Sequence, residues 1–260
     1  MSATRAGRLW VIGTGPGPDR WMTPETADIL RRATDLVGYL PYVLRCPERP
    51  GQIRHTSDNR VEIDRARHAL ELAAAGRFVA VVSGGDPGVF AMAAAVMEAI
   101  DHGPAAWRGL DVTVHPGVSA MQAAAARLGA PLGADFCVIS LSDNLKPWEV
   151  VARRLKAAVE ADFVVALYNP ASKARPRQIF DAFEILRDVK DPATVIVFAR
   201  AVGRPDERIH ITTLAEADPG LVDMATCVII GNSATRRIDR GADREPFVYS
   251  PRSVPAESED

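Results

Sequence analysis

Short runs of β-branched and apolar residues alternate along most of the chain with longer stretches in which apolar positions recur every three or four residues. The first pattern fits buried strands and the second amphipathic helices, so their alternation predicts an α/β protein with substantially parallel sheets. Strands are expected at 8–13, 35–39, 52–55, 78–83 and 111–115, interleaved with helices at 24–33, 61–75 and 89–102. Thr23-Pro24-Glu25 starts the first helix as a cap followed by proline. In 61–75 the positions Val61, Ile63, Ala66, Ala69, Leu70, Leu72 and Ala73 form one stripe, with Glu62, Asp64, Arg65, Arg67 and Glu71 largely off it. A second group follows Pro116-Gly117, with a helix at 119–128, strands at 136–141, 163–168, 194–200, 208–212 and 227–231, and helices between them. Two α/β domains are therefore expected, 1–116 and 117–238. The remaining 239–260 is rich in Pro, Asp, Glu, Arg and Ser, which predicts a mobile tail or one draped over the surface.

At 260 residues the chain is long enough to bury a core without a disulfide or metal staple. Cys46, Cys137 and Cys227 are odd in number and never form a C-x-x-C pair, so no disulfide framework or metal site is expected, and a reducing, cytoplasmic setting is. The opening residues lack the apolar core of a secretion signal, and no run approaches the roughly 18 apolar residues of a membrane span. A net charge of −2 gives no global electrostatic footprint for nucleic acid.

The chemistry concentrates at Val81-Val82-Ser83-Gly84-Gly85-Asp86-Pro87-Gly88-Val89-Phe90, where an apolar strand runs into a glycine-rich turn and then a helix. Glycines let a ligand lie against bare main chain. Asp86-Pro87 also reads as an N-cap and first helical residue, but three glycines around one aspartate exceed what a cap needs. The loop Gly13-Thr14-Gly15-Pro16-Gly17-Pro18 resembles a dinucleotide-binding loop only superficially. Pro16 and Pro18 stiffen it, its helix waits until Thr23-Pro24, and Asp35 precedes its strand instead of ending it. Three more strand ends carry polar turns: His115-Pro116-Gly117-Val118-Ser119, Tyr168-Asn169-Pro170-Ala171-Ser172 and Gly231-Asn232-Ser233. Each could be an ordinary cap or turn, with Asn232 supplying a left-handed residue. Their shared place at carboxyl ends of strands is where open α/β sheets bind ligands.

In this order and spacing, V-I-G-T-G-P-G-P, G-G-D-P-G-V-F and H-P-G-V-S-A resemble the tetrapyrrole methyltransferase family, S-adenosylmethionine enzymes of corrin and sirohaem synthesis, from about residue 7 to 237. Gly38-Tyr39-Leu40-Pro41-Tyr42, Ser57-Asp58-Asn59-Arg60, Tyr168-Asn169-Pro170-Ala171-Ser172 and Ile230-Gly231-Asn232-Ser233 look like its ring-contracting branch. The resemblance implies two α/β domains with a cofactor cleft between them, a homodimer, S-adenosyl-L-methionine as cofactor and precorrin-3B as substrate, with no nucleic-acid or membrane partner. Carried over by position, it implies Pro16, Gly84, Gly85, Asp86, Val89, Ser119, Ala120 and Asn169 as cofactor-binding residues, with Gly203 and Asn232 beside them. Tyr39 stands where a sister family carries an aspartate for proton handling. It is the first catalytic candidate and His55 the second. A polycarboxylate substrate calls for arginines and hydroxyls, and Ser57, Asn59, Arg60, Lys173 and Arg175 are the candidates. The alternatives are another tetrapyrrole methyltransferase, a diphthine synthase or ribosomal RNA methyltransferase relative, or a non-catalytic binding scaffold.

Overall fold

The computed structural model describes residues 7–58, 61–172, 174–241 and 243–253. They divide into two compact units, 1–119 and 120–260.

The first unit is built on five parallel strands, β1 (Arg8–Gly13), β2 (Asp35–Tyr39), β3 (Ile53–Ser57), β4 (Phe78–Ser83) and β5 (Asp111–His115), in the order β3-β2-β4-β1-β5. Helices α1 (Pro24–Arg32), α2 (Leu40–Val43), α3 (Glu62–Ala74) and α4 (Met92–His102) connect them. The central strands are apolar at nearly every position because both faces are covered. Trp10, Ile12, Leu36 and Val82 pack with Ile29 and Leu30 of α1, while Leu9, Val11, Val37 and Val81 pack with Ala66 and Leu70 of α3 and Val96 of α4. From β1 the chain passes beyond β4 to reach β2, and from β4 it passes beyond β1 to reach β5. The two connections leave in opposite directions. The carboxyl ends of β1 and β4 therefore form the switch point at which open sheets place ligands. Thr23 caps α1 as its sequence predicts, its hydroxyl accepting from the Thr26 amide at 3.1 Å.

The second unit carries α5 (Ala120–Leu128), β6 (Gly129–Ala130), β7 (Phe136–Ser140), α6 (Trp148–Glu160), β8 (Val164–Tyr168), α7 (Gln178–Val189), β9 (Val195–Arg200), β10 (Arg208–Thr213) and β11 (Thr226–Ile230). Its main sheet runs β10-β9-β11-β8-β7, and only β7 and β8 are parallel. The expectation of substantially parallel sheets thus holds for the first unit and only for β7 and β8 in the second. No helix separates β9 from β10, and so short a connection joins only antiparallel neighbours. Phe183, Leu186 and Ile179 of α7 and Val151 and Leu155 of α6 pack on Val165, Leu167, Ile196 and Val228.

Among its described residues, the segment from 239 onward carries one short strand. After β12 (Arg236–Ile238), β13 (Phe247–Tyr249) pairs antiparallel with β12 and parallel with β6, and Val248 is buried. Polar composition concealed a strand with a single inward side chain. Among the described residues no helix is long and apolar enough to cross a membrane.

Candidate functional site

At the switch point the loops after β1 and β4 are stitched together through their main chains, and the loop after β5 is joined to them through the Asp86 side chain. Gly15 and Gly85 exchange amide bonds, 3.2 Å from the Gly15 amide to the Gly85 carbonyl and 3.0 Å in return. Thr14 donates both its amide and its hydroxyl to the Ser83 carbonyl, at 2.9 and 3.0 Å. The Arg45 side chain donates to the carbonyls of Gly15 and Gly17 and so holds the proline-rich loop. A Cβ on Gly13 would lie 2.5 Å from the Gly85 oxygen, and one on Gly84 would lie 2.7 Å from the Tyr42 ring. Those two glycines serve close packing of the protein on itself. Gly85 differs: with φ +73° its Cβ direction meets nothing nearer than 3.9 Å, and Gly88 beside it is exposed. Uncovered main chain is thus found at Gly85 and Gly88, on either side of Asp86 and the buried Pro87.

Asp86 is not a helix cap. Its Oδ1 accepts from the Gly88 amide at 2.8 Å and its Oδ2 from the Gly117 amide at 3.0 Å, so the carboxylate ties the β4 turn to the β5 turn. The expected helix start at residue 89 is also corrected: α4 begins at Met92, whose amide donates to Ser83 Oγ at 3.4 Å. The intervening turn places Phe90 at φ +51°, a conformation costly for a bulky residue, with its ring half exposed. Val89 is half-buried in this turn, and Pro16 and Ser119 are buried in the neighbouring loops. Ala120 opens the second unit at the start of α5.

Tyr39 ends β2 and meets Tyr42 edge-on, with ring centroids 5.4 Å apart. Ser57 lies opposite it in the strand register. His55, the second candidate, lies two residues before Ser57 on β3 and is engaged on both ring nitrogens. Its Nε2 is 2.9 Å from Oδ1 of the fully buried Asp35, and its Nδ1 is 3.1 Å from His68 Nε2. Asp35 precedes Tyr39 by four residues, about 13 Å along a strand, so His55 belongs to a network reaching toward the opposite edge. Burial pushes the Asp35 carboxyl up, but donation from Arg77, Thr34 and His55 and the Arg77 charge outweigh it and hold the group below the usual carboxylate range. Arg65, assigned by periodicity to the polar face of α3, is buried and bonded to Ser57, Asp58 and Met92. Helical spacing could not reveal it, because an arginine satisfied by neutral acceptors leaves no pattern.

In the second unit Asn169 has φ +51°, donates to Ser140 Oγ at 2.9 Å, and offers its carbonyl to Arg175 at 3.2 Å. Arg175 is buried, with Nε 3.8 Å from Asp143. Its guanidinium is engaged by Asn169 of its own loop and by Asp143 and Met224 from other parts of the second unit, so this substrate-binding candidate is held by protein groups on several sides. Gly203, at φ +83°, donates its amide to Glu207, which Arg127 clamps through two nitrogens. Asn232 is not left-handed. It forms a turn closed by its amide on Thr235 Oγ1 at 2.9 Å. Asn59, Arg60 and Lys173 lie outside the described residues. Among the described residues no His, Cys, Asp and Glu cluster could hold a metal ion.

Residues 8–218 match the family described as Tetrapyrrole (Corrin/Porphyrin) Methylases. The chain belongs to this family. A precorrin-3B C(17)-methyltransferase from Sinorhizobium sp is 60% identical to this methylase over 247 residues, 95% of this chain and 96% of that one. The cobalamin biosynthesis protein CobIJ of Mycobacterium tuberculosis (strain ATCC 25618 / H37Rv) is 47% identical over 257 residues, 97% of this methylase but 49% of the longer protein. The crystal structure of the methyltransferase CobJ superimposes with a TM-score of 0.89 at 51% identity, covering 94% of this methylase and 100% of CobJ.

Proposed function

We propose that this methylase transfers a methyl group from S-adenosyl-L-methionine to carbon 17 of precorrin-3B, on ring D, with contraction of the macrocycle to precorrin-4, in cobalamin biosynthesis. The observation that carries the reading is the 60% identity with the Sinorhizobium methyltransferase along almost the whole of both chains. The site supports it. The open main chain at Gly85 and Gly88, beside a carboxylate locked by two amides, is a cradle that a bulky side chain would fill and that a flat adenosyl group fits. When bound, the cofactor supplies a methyl group made electrophilic by its sulfonium.

The protein's own work is to hold nucleophile and methyl in line and to exclude water, and orientation of this kind supplies about 7–11 kcal/mol of barrier lowering. Asp86 fixes the turn by joining it to Gly117, so the cradle keeps its shape before binding. Ring contraction removes a proton from a tertiary hydroxyl. Tyr39, at the end of β2, is the group we assign to relay that proton or to donate a hydrogen bond to the reacting oxygen, a role that requires hydrogen-bond reach of the bound substrate. The reading includes a homodimer in the cytoplasm.

The test is incubation of the purified protein with precorrin-3B and cofactor, followed by mass and absorbance analysis. The expected product carries one added methyl and a contracted ring. A product with the methyl and an intact ring would assign the protein to another step of the pathway.

A further inference from the structure

Arg65 is buried, 6% exposed, and no carboxylate pairs with it among the described residues. Its guanidinium donates to three uncharged acceptors: Nε to Ser57 Oγ at 2.8 Å, Nη2 to the Asp58 carbonyl at 2.6 Å and Nη1 to the Met92 sulfur at 3.3 Å. One side chain thereby ties the end of β3 to the first residue of α4, immediately after the glycine turn. Burial pulls its pKa below the usual arginine range, while Glu62, Tyr39 and Tyr42 act in the other direction. A guanidinium keeps its charge nonetheless. The carboxyl edge of the first sheet thus holds a desolvated positive charge whose three bonds neutralise none of it.

The consequence falls on Ser57. A hydroxyl has one hydrogen to give and two lone pairs to receive with. Arg65 Nε–H occupies a lone pair, and among the described residues Ser57 Oγ has no other partner. Its hydrogen remains to be donated, and the adjoining charge polarises the O–H bond and strengthens it as a donor. An anionic acceptor is favoured over a neutral one, because the field of Arg65 extends to it. We propose that Arg65 is a positioning residue that fixes Ser57 as a hydrogen-bond donor to a carboxylate side chain of the tetrapyrrole substrate. The inference rests on the tetrapyrrole reading above. Because a peripheral carboxylate is unchanged during methyl transfer, the bond contributes equally to ground state and transition state and governs KM, leaving kcat nearly alone.

The experiment compares Ser57→Ala, Arg65→Met, Arg65→Lys and the Ser57→Ala/Arg65→Met pair, reading kcat and KM for precorrin-3B, with S-adenosylhomocysteine affinity by calorimetry as the measure of an intact cofactor turn. Ser57→Ala and Arg65→Met are each expected to raise KM about tenfold, with kcat and S-adenosylhomocysteine affinity within about twofold of wild type. The double variant is expected to be no worse than the worse single one, since both remove the same bond. Arg65→Lys, which keeps the charge, is expected to fall between wild type and Arg65→Met. If Arg65→Met does not fold, Arg65→Lys with and without Ser57→Ala measures the same coupling. Additive effects, an unchanged KM in Ser57→Ala, or a joint fall of kcat and S-adenosylhomocysteine affinity would each overturn the proposal. A wild-type protein that binds S-adenosylhomocysteine but leaves precorrin-3B unchanged would overturn the functional reading, and this inference with it.

Discussion

A Cβ placed on Gly117 would lie 2.3 Å from the Gly85 carbonyl oxygen and 2.9 Å from the Gly13 main chain, contacts that only movement of backbone relieves. At Gly85 the same atom finds room, and the obstacle is the positive φ of 73°. Two predictions separate these roles. Gly117→Ala is expected to cost about 1–3 kcal/mol by overpacking, with cofactor affinity falling alongside because the loops part. Gly85→Val is expected to leave a folded protein, at a cost of about 1–2 kcal/mol for the left-handed residue, but to weaken S-adenosylhomocysteine binding at least about tenfold by filling the cradle. Thermal unfolding and calorimetry on both variants check this, and unchanged affinity in Gly85→Val would remove the site from residues 85–88. Asp35 gives a pH dependence. Its folded pKa is depressed below the ordinary 3.8, so its stabilising contribution is complete above that value and is lost as pH falls through the folded one. Asp35→Asn is expected to cost about 1–3 kcal/mol at neutral pH, toward the low end because Arg77 is open to solvent, and to make acid unfolding less steep. A variant with the wild-type acid limb would show that the network around His55 contributes nothing.

Elements with a strong period and clear ends were legible in the chain, and those decided by long-range pairing were not. Strands β1, β2, β4 and β5 match their expected bounds residue for residue. For β1, β2 and β4 the reason is that strands covered on both faces leave apolar runs ended by a polar turn. The edge strand β5 is marked instead by Asp111-Val112-Thr113-Val114-His115, which alternates between polar and apolar positions before Pro116-Gly117. The start of α4 was misplaced because Asp86-Pro87 has the chemistry of a cap, whereas its carboxylate is taken by Gly88 and by Gly117, a residue distant in sequence. Site residues showed the same division. The glycine turn announced itself, but the burial of Arg65 and the inward engagement of Arg175 depend on neighbours far along the chain. Strand β13 is the clearest case, since Phe247-Val248-Tyr249 favours a strand but is only three residues long and lies in a polar segment, and it is β6 and β12 on either side that make it one. Its neighbour Ser250 is buried, donating to the Pro131 carbonyl at 2.7 Å and lying 2.8 Å from Thr235 Oγ1, the atom that closes the Asn232 turn. Val248→Ala is therefore expected to cost about 1–2 kcal/mol, while Tyr249→Ala, on an exposed side chain, costs less than about 0.5 kcal/mol. Equal effects in chemical denaturation would mean that the strand is an ornament of the surface.

Each unit possesses its own core: Leu9, Val11, Leu70 and Val81 belong to one, and Leu155, Leu167, Phe183 and Val228 to the other. The split matters for how damage spreads. Phe183 is completely buried among α6, α7 and the second sheet, so Phe183→Ala is expected to cost about 3–5 kcal/mol, the transfer of a phenyl ring to water plus the cavity left behind. Because no strand of the first sheet draws its core from that cluster, the loss should fall on the second unit's opening equilibria. Hydrogen exchange read by mass spectrometry is expected to show peptides covering β8, β9 and α7 losing protection in Phe183→Ala, with β1 and β4 retaining theirs, and Leu70→Ala giving the mirror result. The glycine turn would then keep its S-adenosylhomocysteine affinity in Phe183→Ala to the extent that residues 85–88 determine it. If protection falls equally in both units, the chain unfolds as one cooperative body. The two cores would then be a matter of geometry without energetic independence.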